Sequence, residues 1–151
     1  MKLSYEGLKD KEAWRKAGAA LPEYDWKAMC EATKKAPVWV HFGAGNIFRG
    51  FIAGLQQRLL NQGLAKSGIV AAETFDYDII DKIYWPHDSM TLMVSLRPDG
   101  STEKEVIASI AQGVKADSSD KEQWETLKKI FENPAVQMAS FTITEKGYAI
   151  R

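Results

Sequence analysis

The sequence contains one cysteine, Cys30, among 151 residues, so no disulfide can form within the chain. That suits a reducing compartment, and the expected location is the cytoplasm. It has no excess of either charge: 20 Lys and Arg balance 20 Asp and Glu. A nucleic-acid binder that relies on a basic surface is therefore excluded, and no basic stretch carries interleaved aromatic residues. No apolar run approaches the roughly 20 residues that cross a bilayer. The opening MKLSYEGLKD lacks the apolar stretch of a secretory leader. Neither a membrane nor a nucleic acid is an expected partner. Histidine is also scarce. His41 and His87 lie far apart and, with one cysteine, give no metal-ligand spacing, so no metal is expected. No serine or cysteine stands in a nucleophile pattern, and the chain offers no catalytic residue of its own.

What remains is ordinary globular composition, 45% hydrophobic and 26% charged. One domain with a real core is expected. Residues 1–36 are polar and read as a helical preamble packed on the outside, with helices near 9–19 and 26–35. Trp14 and Trp26 would anchor it. Pro37 closes it, because a residue before proline avoids helical geometry. Residues 37–151 read as one α/β unit with a partly parallel sheet. VWVHF at 38–42 suits a buried strand. Phe48, Phe51, Ile52, Leu55 and Leu59 then fall at helical spacing and predict one core-facing stripe. Gly63 stands where a helix ends, and Ile69 to Ala72 predict a second strand. Strand, glycine turn, helix, strand is a βαβ unit. A helix near 76–84 follows, then a loop with His87 exposed. Residues 90–97 and 103–111 flank Pro98-Asp99-Gly100 and predict a β-hairpin insertion. Ser119 and Glu122 have capping-box spacing ahead of a helix with an apolar stripe of Trp124, Leu127, Ile130 and Phe131. Residues 136–144 predict a last strand that leads into Glu145-Lys146-Gly147-Tyr148.

The strongest local signal is Gly43-Ala44-Gly45-Asn46-Ile47-Phe48-Arg49-Gly50, set between the first strand and its helix. A dinucleotide-binding fold puts its phosphate turn there. Gly43 would permit the tight turn. Gly45 would let backbone approach a pyrophosphate. Free amides around Asn46 to Phe48 would face the anion, and Arg49 could add a charge. The third glycine of the usual motif is replaced by Phe48, so a glycine turn that merely joins strand to helix stays open. Glu73 ends the second strand, where an acidic residue accepts from the adenosine ribose; Asp76 is a lesser choice. A carboxylate there would repel a 2′-phosphate, which favours NAD over NADP. A solvated carboxylate is the alternative for either residue. His41 reads as a satisfied core histidine rather than a ligand.

HFGAGNIFRG after a short strand, a hairpin bearing PDG, and FTITEKGY after a later strand occur in that order. Together they resemble the polyol-specific long-chain dehydrogenases, the mannitol dehydrogenase family, in its N-terminal Rossmann-like portion. The longer preamble resembles the fructuronate reductase (D-mannonate oxidoreductase) branch. The resemblance implies an oxidoreductase that moves a hydride between NAD and a hexuronate or a ketose/polyol, with D-mannonate/D-fructuronate the best guess. It implies that Gly43, Gly45, Asn46, Ile47 and Phe48 line the pyrophosphate and that Glu73 meets the ribose. Thr144 and Glu145 would lie near the nicotinamide ribose. The family's catalytic lysine lies in a C-terminal domain, in a string this sequence does not contain. The expectation is thus a truncated Rossmann-like domain, a fragment inactive alone. Two rivals remain: an S-adenosylmethionine-dependent methyltransferase-like domain, and a non-catalytic module that self-associates through an exposed sheet edge.

Overall fold

The computed structural model describes residues 1–143. The strands are β1 (Ala19–Ala20), β2 (Trp39–Phe42), β3 (Ile69–Glu73), β4 (Thr91–Leu96), β5 (Thr102–Ile107), β6 (Ile110–Lys115) and β7 (Met138–Phe141). The helices are α1 (Lys11–Lys16), α2 (Trp26–Lys35), α3 (Ala53–Asn61) and α4 (Lys121–Glu132). Four strands pair in the order β6-β3-β2-β7, every pair parallel. A second sheet has the order β1-β5-β4 and holds the antiparallel hairpin. The hairpin thus stands outside the parallel sheet rather than within a mixed one.

Both faces of the parallel sheet are covered. Ile69 and Ala71 pack with Phe48, Ala53, Ile80 and Tyr84 on one face. Val40, Val70, Ala72 and Val114 pack with Leu127 and Ile130 of α4 on the other. β3 is buried along its whole length, as its uninterrupted IVAAE run requires. Order of appearance along this sheet is third, second, first, fourth, which is one half of a Rossmann sheet with the first strand of the other half. β2 and β7 flank the point where strand order reverses. Residues 1–36 lie against both sheets. Leu8 and Trp14 share a core with Met90 and Val106, and Met29 and Cys30 of α2 pack with Ala111.

Several expectations are corrected. The predicted stripe on α3 is displaced by one residue. Phe48 is buried, but Phe51 is 65% exposed and Leu55 and Leu59 are each 43% exposed, while Ala53, Gln56 and Leu60 are buried. The cause is a π-helical turn over Phe48–Ile52, which fits one extra residue into the helix. An unbroken α-helix would bury 52, 55 and 59 after Phe48; the inserted residue moves the inward positions to 53, 56 and 60. Gln57 is also fully buried. Its side-chain nitrogen donates to the Val106 carbonyl and to Glu105, and its oxygen accepts from the Ala108 amide.

The predicted strand at 103–111 is two strands. At Ala108-Ser109 the chain leaves the small sheet for the parallel one. The Gln57 amide oxygen takes the Ala108 N–H, and Ser109 Oγ donates to the Ala53 carbonyl at 2.6 Å. The Gln57 amide thus substitutes for a ladder bond at the break, and Ser109 ties the break to α3. Helix α1 is shorter than the predicted 9–19. Helix α4 is capped by Asp120, which accepts from the Gln123 amide, and not by a Ser119 capping box; Ser119 bonds Asp117 instead. Trp124, at 38% exposure, stands at the margin of its core. His87 is half-buried, with Nδ1 3.2 Å from the Leu3 carbonyl. Among the described residues, no helix is long and apolar enough to cross a membrane, and no cluster of His, Cys, Asp and Glu could hold a metal.

Candidate functional site

The carboxyl ends of β2, β3 and β7 converge on the glycine turn. Gly43 adopts φ +106°, a conformation that L side chains rarely take. A Cβ there would also collide with the side chain of Thr142. The Gly43 amide donates to Ala72 of β3 at 2.9 Å. Ala44 is buried, and the Tyr84 hydroxyl donates to its carbonyl at 3.0 Å. Gly43 and Ala44 are therefore fixed by the fold itself.

Gly45 differs. A Cβ built there meets nothing within 4 Å. No internal packing calls for glycine at this position, and the space above it is open. The first turn bond behind it runs from the Arg49 amide to the Gly45 carbonyl at 3.0 Å. The amides of Asn46, Ile47 and Phe48 precede that bond, as the first amides of any helix do. Asn46 and Ile47 are exposed. Phe48 is not: its ring is buried and stacks on the His41 ring, with centroids 4.2 Å apart and planes 6° apart. Only its amide is left to face a ligand. Arg49 bonds Asn46 through Nη2, and its Nε is buried without a partner among the described residues. A buried donor without an acceptor costs about 1–3 kcal/mol unless something supplies one. An open cradle at Gly45, free helix-start amides and an orphaned guanidinium N–H together fit an anionic diphosphate.

Glu73 is buried at the end of β3. Its Oε2 accepts from the Ala44 amide at 2.8 Å. Its Oε1 accepts from the amides of Thr74, Phe75 and Asp76 at 2.9, 3.0 and 3.3 Å. The carboxylate is thus no solvated strand exit. It clamps the glycine turn to the loop after β3, and Oε2 keeps acceptor capacity beside the turn. Asp76 is exposed and takes part through its backbone. Thr144 and Glu145 lie outside the described residues.

His41 is fully buried, and burial holds its pKa down at about 4. Its ring nitrogens meet Ser140 Oγ at 2.7 Å and Thr142 Oγ1 at 3.2 Å. Sequence reasoning anticipated a satisfied core histidine but missed its partners, which lie about 100 residues downstream. It also missed Tyr84, whose position within a weak helical pattern gave no sign that its hydroxyl reaches Ala44.

Over 150 residues, 99% of its length, the chain is 49% identical to D-mannonate oxidoreductase of Thermotoga maritima. The likeness runs along nearly the whole chain and is consistent with the mannitol dehydrogenase family. The chain spans 28% of that curated relative, so the kinship covers about a quarter of a longer protein. The fold matches D-sorbitol dehydrogenase in substrate-free form with a TM-score of 0.72 and 27% identity, over 89% of this chain and 26% of that one. It matches mannitol 2-dehydrogenase of Pseudomonas fluorescens, in a ternary complex with NAD and D-mannitol, with a TM-score of 0.77. That match has 23% identity over 99% of this chain and 28% of that one, and it bears on the fold alone. No protein-family model matches the chain. The described residues share a Rossmann-like fold with a part of each of these two dehydrogenases.

Proposed function

We propose that the chain is the NAD-binding part of an oxidoreductase acting on a hexuronate, with D-mannonate and D-fructuronate the favoured pair and a ketose or polyol the wider class. The observation that carries this reading is the glycine turn at the strand-order reversal, with an open cradle over Gly45 and, in the same turn, an Arg49 Nε left without a partner among the described residues. The name of the 49% identical relative supports the substrate class.

In this reading the backbone at Gly43 and Gly45 and the amides of Asn46, Ile47 and Phe48 hold the diphosphate. Arg49 turns its unpaired Nε toward it. Glu73 accepts from the adenosine ribose through Oε2, and its charge disfavours a 2′-phosphate, hence NAD over NADP. The role assigned to Thr144 and Glu145 is contact with the nicotinamide ribose. Bound in this way, NAD would exchange a hydride with the substrate carbon. The proton for the substrate oxygen comes from a group outside this chain, so the chain alone binds cofactor without turning over. A single buried thiol is consistent with work in the cytoplasm.

Titration with NADH tests the reading. Gly45→Val is the decisive variant, because its side chain enters open space and leaves the fold intact while filling the cradle. The expected result is saturable NADH binding, weaker NADPH binding, loss of both in the variant with an unchanged melting curve, and no reduction of fructuronate. Undiminished NADH binding by the variant, or binding of S-adenosylmethionine in place of NADH, would overturn it.

A further inference from the structure

Four polar side chains line up across the β2–β7 seam. Trp39 Nε1 lies 2.6 Å from Ser140 Oγ. Ser140 Oγ lies 2.7 Å from His41 Nδ1. His41 Nε2 lies 3.2 Å from Thr142 Oγ1, which in turn lies 3.5 Å from the carbonyls of Phe42 and Gly43. The two ends of this row have fixed roles. An indole N–H only donates and a carbonyl only accepts.

We infer that Trp39, Ser140, His41 and Thr142 form a one-way hydrogen-bond relay that places the His41 proton on Nε2 and ties β7 to the carbonyls of the glycine turn. The direction follows from the ends. Trp39 donates to Ser140. Among the described residues, the other group within reach of the Ser140 hydroxyl is His41 Nδ1, so the serine proton goes there and Nδ1 accepts. A neutral imidazole with an accepting Nδ1 carries its proton on Nε2. Nε2 then donates to Thr142 Oγ1, whose own proton is left for the Phe42 or Gly43 carbonyl. The fully buried ring and its pKa held near 4 keep the imidazole neutral at pH 7.

His41 is a positioning residue in this arrangement. One face of its ring supports Phe48 at the helix start, and its two nitrogens hold two residues at and just beyond β7. Strand end, helix start and neighbouring strand are pinned on one imidazole beneath the turn. Thr142 fills the place where a Cβ on Gly43 would project, so the relay and the glycine fit each other. The consequence for cofactor affinity rests on the function proposed above; the proton placement does not.

Long-range 1H–15N spectra of histidine-labelled protein read the tautomer directly. The chain has two histidines, and His87→Gln leaves His41 alone in the spectrum. The expected result is one species at pH 7, protonated on Nε2 and bare on Nδ1. Trp39→Phe, which removes the donor that sets the direction, should let the Nδ1-protonated form appear. Thr142→Val should weaken NADH binding about two- to tenfold, the range of one hydrogen bond, and Thr142→Ser should restore it. A wild-type ring protonated on Nδ1, or a Trp39→Phe spectrum identical to wild type, would overturn the relay. Equal NADH affinity in the valine and serine variants would overturn its link to the turn. Should wild-type protein bind no NADH, the function proposal fails while the tautomer still decides the relay.

Discussion

Along β6, one edge of the parallel sheet, side chains stand where a neighbouring strand would be. The Cys30 thiol lies 3.9 Å from the Ile110 carbonyl, and Trp85 Nε1 donates to the Gly113 carbonyl at 3.2 Å. Gln123 accepts from the Lys115 amide at 3.3 Å. Lys115 itself pairs with Asp81 at 2.8 Å and lies over the Trp85 ring. Along β7, the opposite edge, the described residues supply no such cover. Among the described residues β7 pairs only with β2, and Met138 and Phe141 are 45% and 59% exposed. An open strand edge is a template for further pairing; a sealed one is not. The difference teaches that, among the described residues, one end of the sheet is closed by side chains and the other is left open to pairing. The glycine turn sits beside the open one.

Four experiments press on that contrast. Gly43→Val should do the most damage, because it forces a β-branched residue into φ +106° and drives Cβ into Thr142 beside the open edge. A loss of about 3 kcal/mol or more is expected, read as a shifted urea midpoint. Lowering the pH comes next. The His41 pKa is depressed from its ordinary 6.5 to about 4, so the unfolded chain binds a proton that the fold excludes. The His41 contribution is complete above pH 6.5 and is lost as pH falls toward 4, by at most about 1.4 kcal/mol per pH unit. Urea titrations at pH 7 and pH 4.5 measure it, and a His41→Phe variant should lack that slope. Trp85→Phe unseals β6 by leaving the Gly113 carbonyl unpaired, for about 1–2 kcal/mol in thermal melts. Met138→Lys at the open edge should change stability by less than about 0.5 kcal/mol. Its effect should instead be seen in sizing runs, where it reduces concentration-dependent association. An equal effect of the last two variants on association would erase the distinction between the edges.

Local chemistry made much of this legible. The strand at 38–42, the glycine turn, and helix α2 are set by proline, glycine and apolar period, and each stands where those signals put it. The turn before β3 followed from Gly63, which takes φ +70° at the helix end. What stayed hidden depends on distant partners. The face of α3 was misread because a π-helical turn leaves no mark in a hydrophobic period. Strand β6 was merged with β5 because the break at Ala108-Ser109 is made by Gln57, about fifty residues upstream. Glu73 was legible as a carboxylate at the right place. Its four backbone bonds were not, since they depend on how two loops meet in space.

Those four bonds make a single unit of two loops that are far apart in the chain. The amides of Ala44, Thr74, Phe75 and Asp76 share one acceptor group, so releasing any of them from the carboxylate weakens the hold on the rest. In deuterium exchange they should open together and at one rate, ahead of the core strands on which they stand.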